Sequence, residues 1–165
     1  MSEIFSQLKW FIGLVLFQVL ILNQMHINGY ATPFLYIYFI LQFRSRAGRN
    51  ELMLWAFFMG LVVDMFCNTP GMNAAAATGL AFFRTLLLRM VTLRDLDENF
   101  RPSAKVLGYA VFFRYLLLTC TLFCMLFFLI NTFSFLHIPT MLLKIFSSTV
   151  TTILCIMGIE STRRK

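Results

Sequence analysis

Hydrophobic residues in this chain neither alternate nor recur on one helical face; they run almost unbroken between short polar clusters. Six such runs predict helices over about 9–25, 30–43, 52–67, 73–91, 106–130 and 136–159. A soluble helical bundle would need polar faces recurring every three to four residues, and these runs lack them. Crossing a bilayer as a helix takes about 20 apolar residues, with about 17 to 25 usual. The last two runs reach that length outright and the middle two reach it with their flanks. The second, "YATPFLYIYFILQF", is the weakest, because Pro33 has no amide donor and about 14 apolar residues make a short span. It reads as a short or tilted helix, or as one half of a broken helix shared with the first run, which would leave five or four crossings. The first run, "MSEIFSQLKWFIGLVLFQVLILN", has no small-residue cleavage site and reads as a retained helix in preference to a signal peptide.

Composition points the same way. With 59% hydrophobic residues, 13% charged residues and 20 phenylalanines among 165 residues, too little polar material remains to cover a soluble domain. The expectation is an all-α integral membrane protein with a single transmembrane domain over residues 1–165. Charge placement then selects six crossings. Lys and Arg gather in short cytoplasmic loops, and here basic and non-basic connections alternate. Arg44, Arg46 and Arg49 lie in one connection, Arg89, Arg94, Arg101 and Lys105 in another, and Arg163, Arg164 and Lys165 in the tail. Residues 24–32, 68–72 and 131–139 contain no Lys or Arg. Both termini are therefore expected in the cytoplasm, with the basic face able to meet anionic lipid head groups. The loops are too short for a folded basic surface or a base-stacking platform, which argues against nucleic-acid binding.

Within "GLVVDMFCNTPGMNAAAATG" a single carboxylate, Asp64, stands in an otherwise uncharged run. Ala56, Gly60, Asp64 and Asn68 are spaced by four and share one helical face. After the turn signal at Asn68, Thr69, Pro70 and Gly71 comes a helix opening with Asn73 and four alanines. Pairs such as Ala75 with Gly79 and Ala77 with Ala81 have the spacing that lets helix backbones approach closely in lipid. The third and fourth helices are thus expected to form a tight hairpin. A helix start leaves amide donors unpaired and carries partial positive charge, so Asp64 is read as tying the loop to the fourth helix. An ionisable residue inside a membrane is also a candidate for ligand contact or proton transfer. Arg84, Arg114 and Lys144 fall inside predicted spans as candidate charge partners. Arg84 and Arg114 lie close enough to the cytoplasmic ends to reach head groups, and Lys144 lies at a depth comparable with Asp64.

The pattern Gly60-x-x-x-Asp64, a short turn with Gly71, and the small-residue helix after it resemble the rod shape-determining protein MreD family. Length, six predicted helices and a basic tail fit it too. The resemblance covers residues 60 to about 84. It implies a multi-pass protein of the bacterial inner (cytoplasmic) membrane without enzymatic activity, working in cell elongation and peptidoglycan synthesis. Implied partners are the bitopic protein MreC and, through it, a RodA-type glycosyltransferase, a class B penicillin-binding transpeptidase and MreB filaments. On the same resemblance Gly60, Asp64, Pro70, Gly71 and Asn73 would form a structural or partner-facing motif. The family is similar in architecture to the S-components of energy-coupling-factor transporters, so the alternative is a vitamin- or metal-ion-binding uptake subunit. His26, Asn28, Tyr30, Asn131 and His137, near the outer loops, are the groups it would use, and ordinary solvation at the membrane interface accounts for them equally.

No Ser/His/acid set, phosphate-binding glycine loop or helical pair of acids suggests an enzyme. Cys120 and Cys124 share a helix face without a third ligand nearby, as small hydrophobes do. No metal or cofactor is expected. Only Cys67 approaches the oxidising side, and it has no cysteine partner at its depth.

Overall fold

A computed structural model of the protein describes residues 11–16, 18, 32–44, 48–92, 100–131 and 138–162. Their regular structure is entirely helical. Helix α1 covers residues 11–16, α2 Ile37–Leu41, α3 Arg49–Cys67, α4 Met72–Val91, α5 Ala104–Leu107, α6 Tyr109–Asn131 and α7 Ile138–Thr162. Among the described residues four helices are long and apolar enough to cross a membrane: Arg49–Cys67, Met72–Val91, Tyr109–Asn131 and Pro139–Thr162. Their outward surface is as oily as the core. Met65 is 77% exposed and Phe146 72% exposed, a pattern that lipid tolerates and water does not. This is a membrane protein.

Helix α3 packs on α4, α4 on α6, and α6 on α7. The predicted fifth helix is divided: Gly108, at φ 82°, takes a backbone conformation that L side chains rarely adopt and separates the single turn of α5 from α6. Most of the predicted first helix lies outside the described residues. In the part that is described, Phe11 meets Phe39 and Trp55 edge-on, each at 5.9 Å between ring centroids.

The second predicted helix differs most from expectation. Residues 32–34 are not helical, residues 35–36 turn, and regular helix is confined to Ile37–Leu41. Pro33 disfavours helix at Thr32, and the Phe34 and Leu35 amides bond to Thr152 and Gln18, so regular helix begins only after them. The segment does not lie against lipid. From Phe34 to Leu41 no side chain is more than 6% exposed, and Phe34 and Tyr36 pack on Phe123 of α6 at 5.1 and 5.7 Å. Backbone without its own helical bonds is tolerated at membrane depth only when protein surrounds it. Here α1, α3, α4, α6 and α7 all contact the segment.

Candidate functional site

Asp64 closes the hairpin. Its Oδ1 accepts from the Asn73 amide at 2.9 Å, the Asn73 side-chain amide at 2.9 Å and the Thr69 hydroxyl at 2.8 Å. Its Oδ2 accepts from the Ala74 amide at 2.9 Å. Two of the free donors at the start of α4 are thus met by one carboxylate from α3, itself only 5% exposed. The turn between the helices is shaped to allow this. Asn68 (φ 54°) and Gly71 (φ 77°) both adopt left-handed backbone, and the Asn68 and Thr69 amides return to the Asp64 carbonyl.

Gly60 makes the approach feasible. A Cβ there would fall 2.5 Å from the Ala74 Cα and 2.6 Å from the Asn73 carbonyl oxygen, a clash with backbone that no rotamer change relieves. Ala56, Gly60 and Asp64 share a buried face, whereas Asn68 is exposed at the turn. Of the small-residue pairs, Ala77 and Ala81 are fully buried, but Ala75 points outward. The close contact therefore runs through the first residues of α4, and Pro70 stands exposed in the turn.

The network extends to a residue that local spacing does not reveal. The Tyr36 hydroxyl donates to the Asn73 Oδ1 at 2.9 Å, fastening the buried segment to the hairpin. Farther along that segment, Gln18 holds Pro33 and Leu35 at once, donating to the Pro33 carbonyl and accepting from the Leu35 amide, both at 2.7 Å. Thr152 accepts from the Phe34 amide at 3.1 Å, and Ser148 from the Thr32 amide at 3.2 Å. At its other end, Arg84 donates to the carbonyls of Leu41 (3.2 Å), Phe43 and Arg44 (3.4 Å). Arg84 is 2% exposed, so it does not reach towards head groups as its position in the sequence suggests. It caps the short helix α2 from within the protein.

Among the described contacts of Asp64 there is none to Lys144, Arg84 or Arg114; the hairpin's own donors occupy it. Lys144 is half-buried on α7 and Arg114 is exposed on α6. Of the basic face, Arg49, Arg101 and Lys105 are exposed, and Arg46, Arg94, Arg163, Arg164 and Lys165 lie outside the described residues. Arg49 sits over the Phe82 ring at 4.8 Å. Cys120 and Cys124 are buried free thiols, and among the described residues no cluster of His, Cys, Asp and Glu is suited to a metal ion.

Chemically, the Asp64 site is a lock. Its acceptors are engaged by donors from the turn and from α4, leaving a rigid, desolvated junction of three chain segments. Comparison with known protein families, with curated proteins and with solved structures finds no match for this chain.

Proposed function

We propose that this protein is a non-enzymatic scaffold of the bacterial cell-elongation machinery, similar to the rod shape-determining MreD family. In this reading it binds an MreC-like bitopic partner and works on peptidoglycan synthesis through RodA-type and class B penicillin-binding enzymes and MreB filaments. The supporting observation is the Gly60-Asp64 lock. It spends the carboxylate at the turn end of α3 on fixing helix geometry, as suits a surface presented to a partner. A proton carrier or ligand contact would keep its carboxylate accessible. Of the residues that the uptake reading would use, Asn131 is exposed, and His26, Asn28, Tyr30 and His137 fall outside the described residues.

Six crossings, with both termini in the cytoplasm of an inner membrane, complete the proposal. The buried segment 32–44 would serve as the second crossing, irregular in its outer part and helical in its inner part. Reporter fusions at positions 46 and 97 and at the C-terminus should report cytoplasm, and fusions at 27, 70 and 134 the outside. Depletion in the host should alter cell width or length and leave vitamin uptake intact. Normal shape combined with a nutrient requirement would overturn the scaffold reading in favour of the uptake subunit.

A further inference from the structure

At the end of the bundle opposite the 68–71 turn lies a recess of about 220 Å³, lined by Gln42, Arg101, Ser103, Ala104, Lys105, Tyr109 and Glu160. Its depth in the membrane follows from its walls. Tyr109 opens one candidate span and Glu160 stands two residues before the end of another, so the recess lies where hydrocarbon gives way to head groups.

The charges in it are unequal in availability. Glu160 is already engaged: Oε2 accepts from the Tyr38 hydroxyl at 2.5 Å and from Gln42 at 3.3 Å, and Oε1 from the Ala104 amide at 3.1 Å. Those donors hold the carboxylate in place and fix the inner wall. Arg101 and Lys105 are exposed, and among the described residues neither has a hydrogen bond or ion pair. Two cations standing over a pre-formed hollow at head-group depth match a phosphate anion, with a guanidinium fork and an ammonium as its donors.

We propose that this recess binds the phosphate of an anionic phospholipid head group. Arg101 and Lys105 hold the phosphate oxygens, and Ser103 and Gln42 face the remainder of the head group. The site is independent of the scaffold reading and requires only that the helix ends lie at the membrane surface.

Native mass spectrometry of the full chain in mild detergent, titrated with phosphatidylglycerol, tests it. Replacing both cations (Arg101→Gln with Lys105→Gln) should weaken binding about 30-fold, which is about 2 kcal/mol at about 1.4 kcal/mol per factor of ten. The pair Arg49→Gln with Arg89→Gln removes equal charge from the same end of the bundle outside the recess, and should change binding by less than about 3-fold, or about 0.7 kcal/mol on the same scale. Ser103→Phe keeps both cations and narrows the hollow, and should also lose binding. Equal losses in the two charge pairs would overturn the proposal in favour of diffuse attraction. Displacement of the lipid by millimolar inorganic phosphate would overturn it in favour of a soluble phosphate ligand, whereas failure of phosphate to compete supports the lipid.

Discussion

The α3–α4 hairpin and the 32–44 segment both bury polar groups inside the bundle, and they satisfy them in opposite ways. In the hairpin, the Asp64 carboxylate and its donors at Thr69, Asn73 and Ala74 are at most ten residues apart in the chain. In the segment, partners come from Gln18, Arg84, Ser148 and Thr152, and the Phe34–Thr152 bond spans 118 residues. A locally closed site can form as soon as its two helices meet. A remotely closed one depends on the whole bundle, so damage to it should spread farther.

Thermal unfolding in detergent can break this contrast, beginning with the largest effect. Arg84→Leu strands buried carbonyls of Leu41 and Phe43 at about 1 to 3 kcal/mol for each unsatisfied group. It should lower the melting temperature more than any hairpin substitution, and Arg84→Lys should recover only part because an ammonium lacks the planar fork. If Arg84→Leu melted like the wild type, the segment would not depend on that cap.

Asp64→Leu comes next, leaving the Asn73 and Ala74 amides without acceptors at a similar cost of about 1 to 3 kcal/mol each. Asp64→Asn should fall between Leu and the native residue, since both carboxylate oxygens are in use and the amide supplies one acceptor. Adding Lys144→Met to Asp64→Asn should give additive losses, and mutual rescue would reveal a charge pair after all. Gly60→Ala should cost about 1 to 3 kcal/mol by forcing two backbones apart, and stability equal to the native protein would mean that the hairpin can open at no cost.

Thr152→Val has the smallest expected effect, because it strands a single buried donor, the Phe34 amide, at about 1 to 3 kcal/mol. It sharpens the comparison through coupling. Combined with Gln18→Leu it should deviate from additivity, because both grip the same stretch of backbone. Combined with Asp64→Asn it should add. Additivity in both pairs would show that the two regions do not differ in the way proposed.

The helical membrane character was legible because it rests on run length and composition. So was the Asp64 contact, since turn residues, a small-residue face and a nearby helix start are all local. Tyr36, Gln18 and Arg84 were hidden because their partners are distant in the chain, and nothing in one segment marks its neighbour in space. One signal was available. Ser148, Thr152, Ile156 and Glu160 recur every four residues on α7, and all but the half-buried Glu160 are buried. The three polar side chains in that row, Ser148, Thr152 and Glu160, announce that something polar packs there. Pro33 indicated what that was.

The bonds from segment 32–44 to Ser148, Thr152 and Glu160 impose an order on biogenesis. The ribosome completes the second apolar segment more than a hundred residues before the hydroxyls that accept from the Thr32 and Phe34 amides and the carboxylate that receives Tyr38. Throughout that interval the non-helical backbone has to stay near water, or in the shelter of the insertion machinery, because exposed amides are costly in lipid. The last helix therefore acts as the closing element of assembly. A nascent chain stalled before it should remain a substrate for membrane quality control, whatever the state of the hairpin.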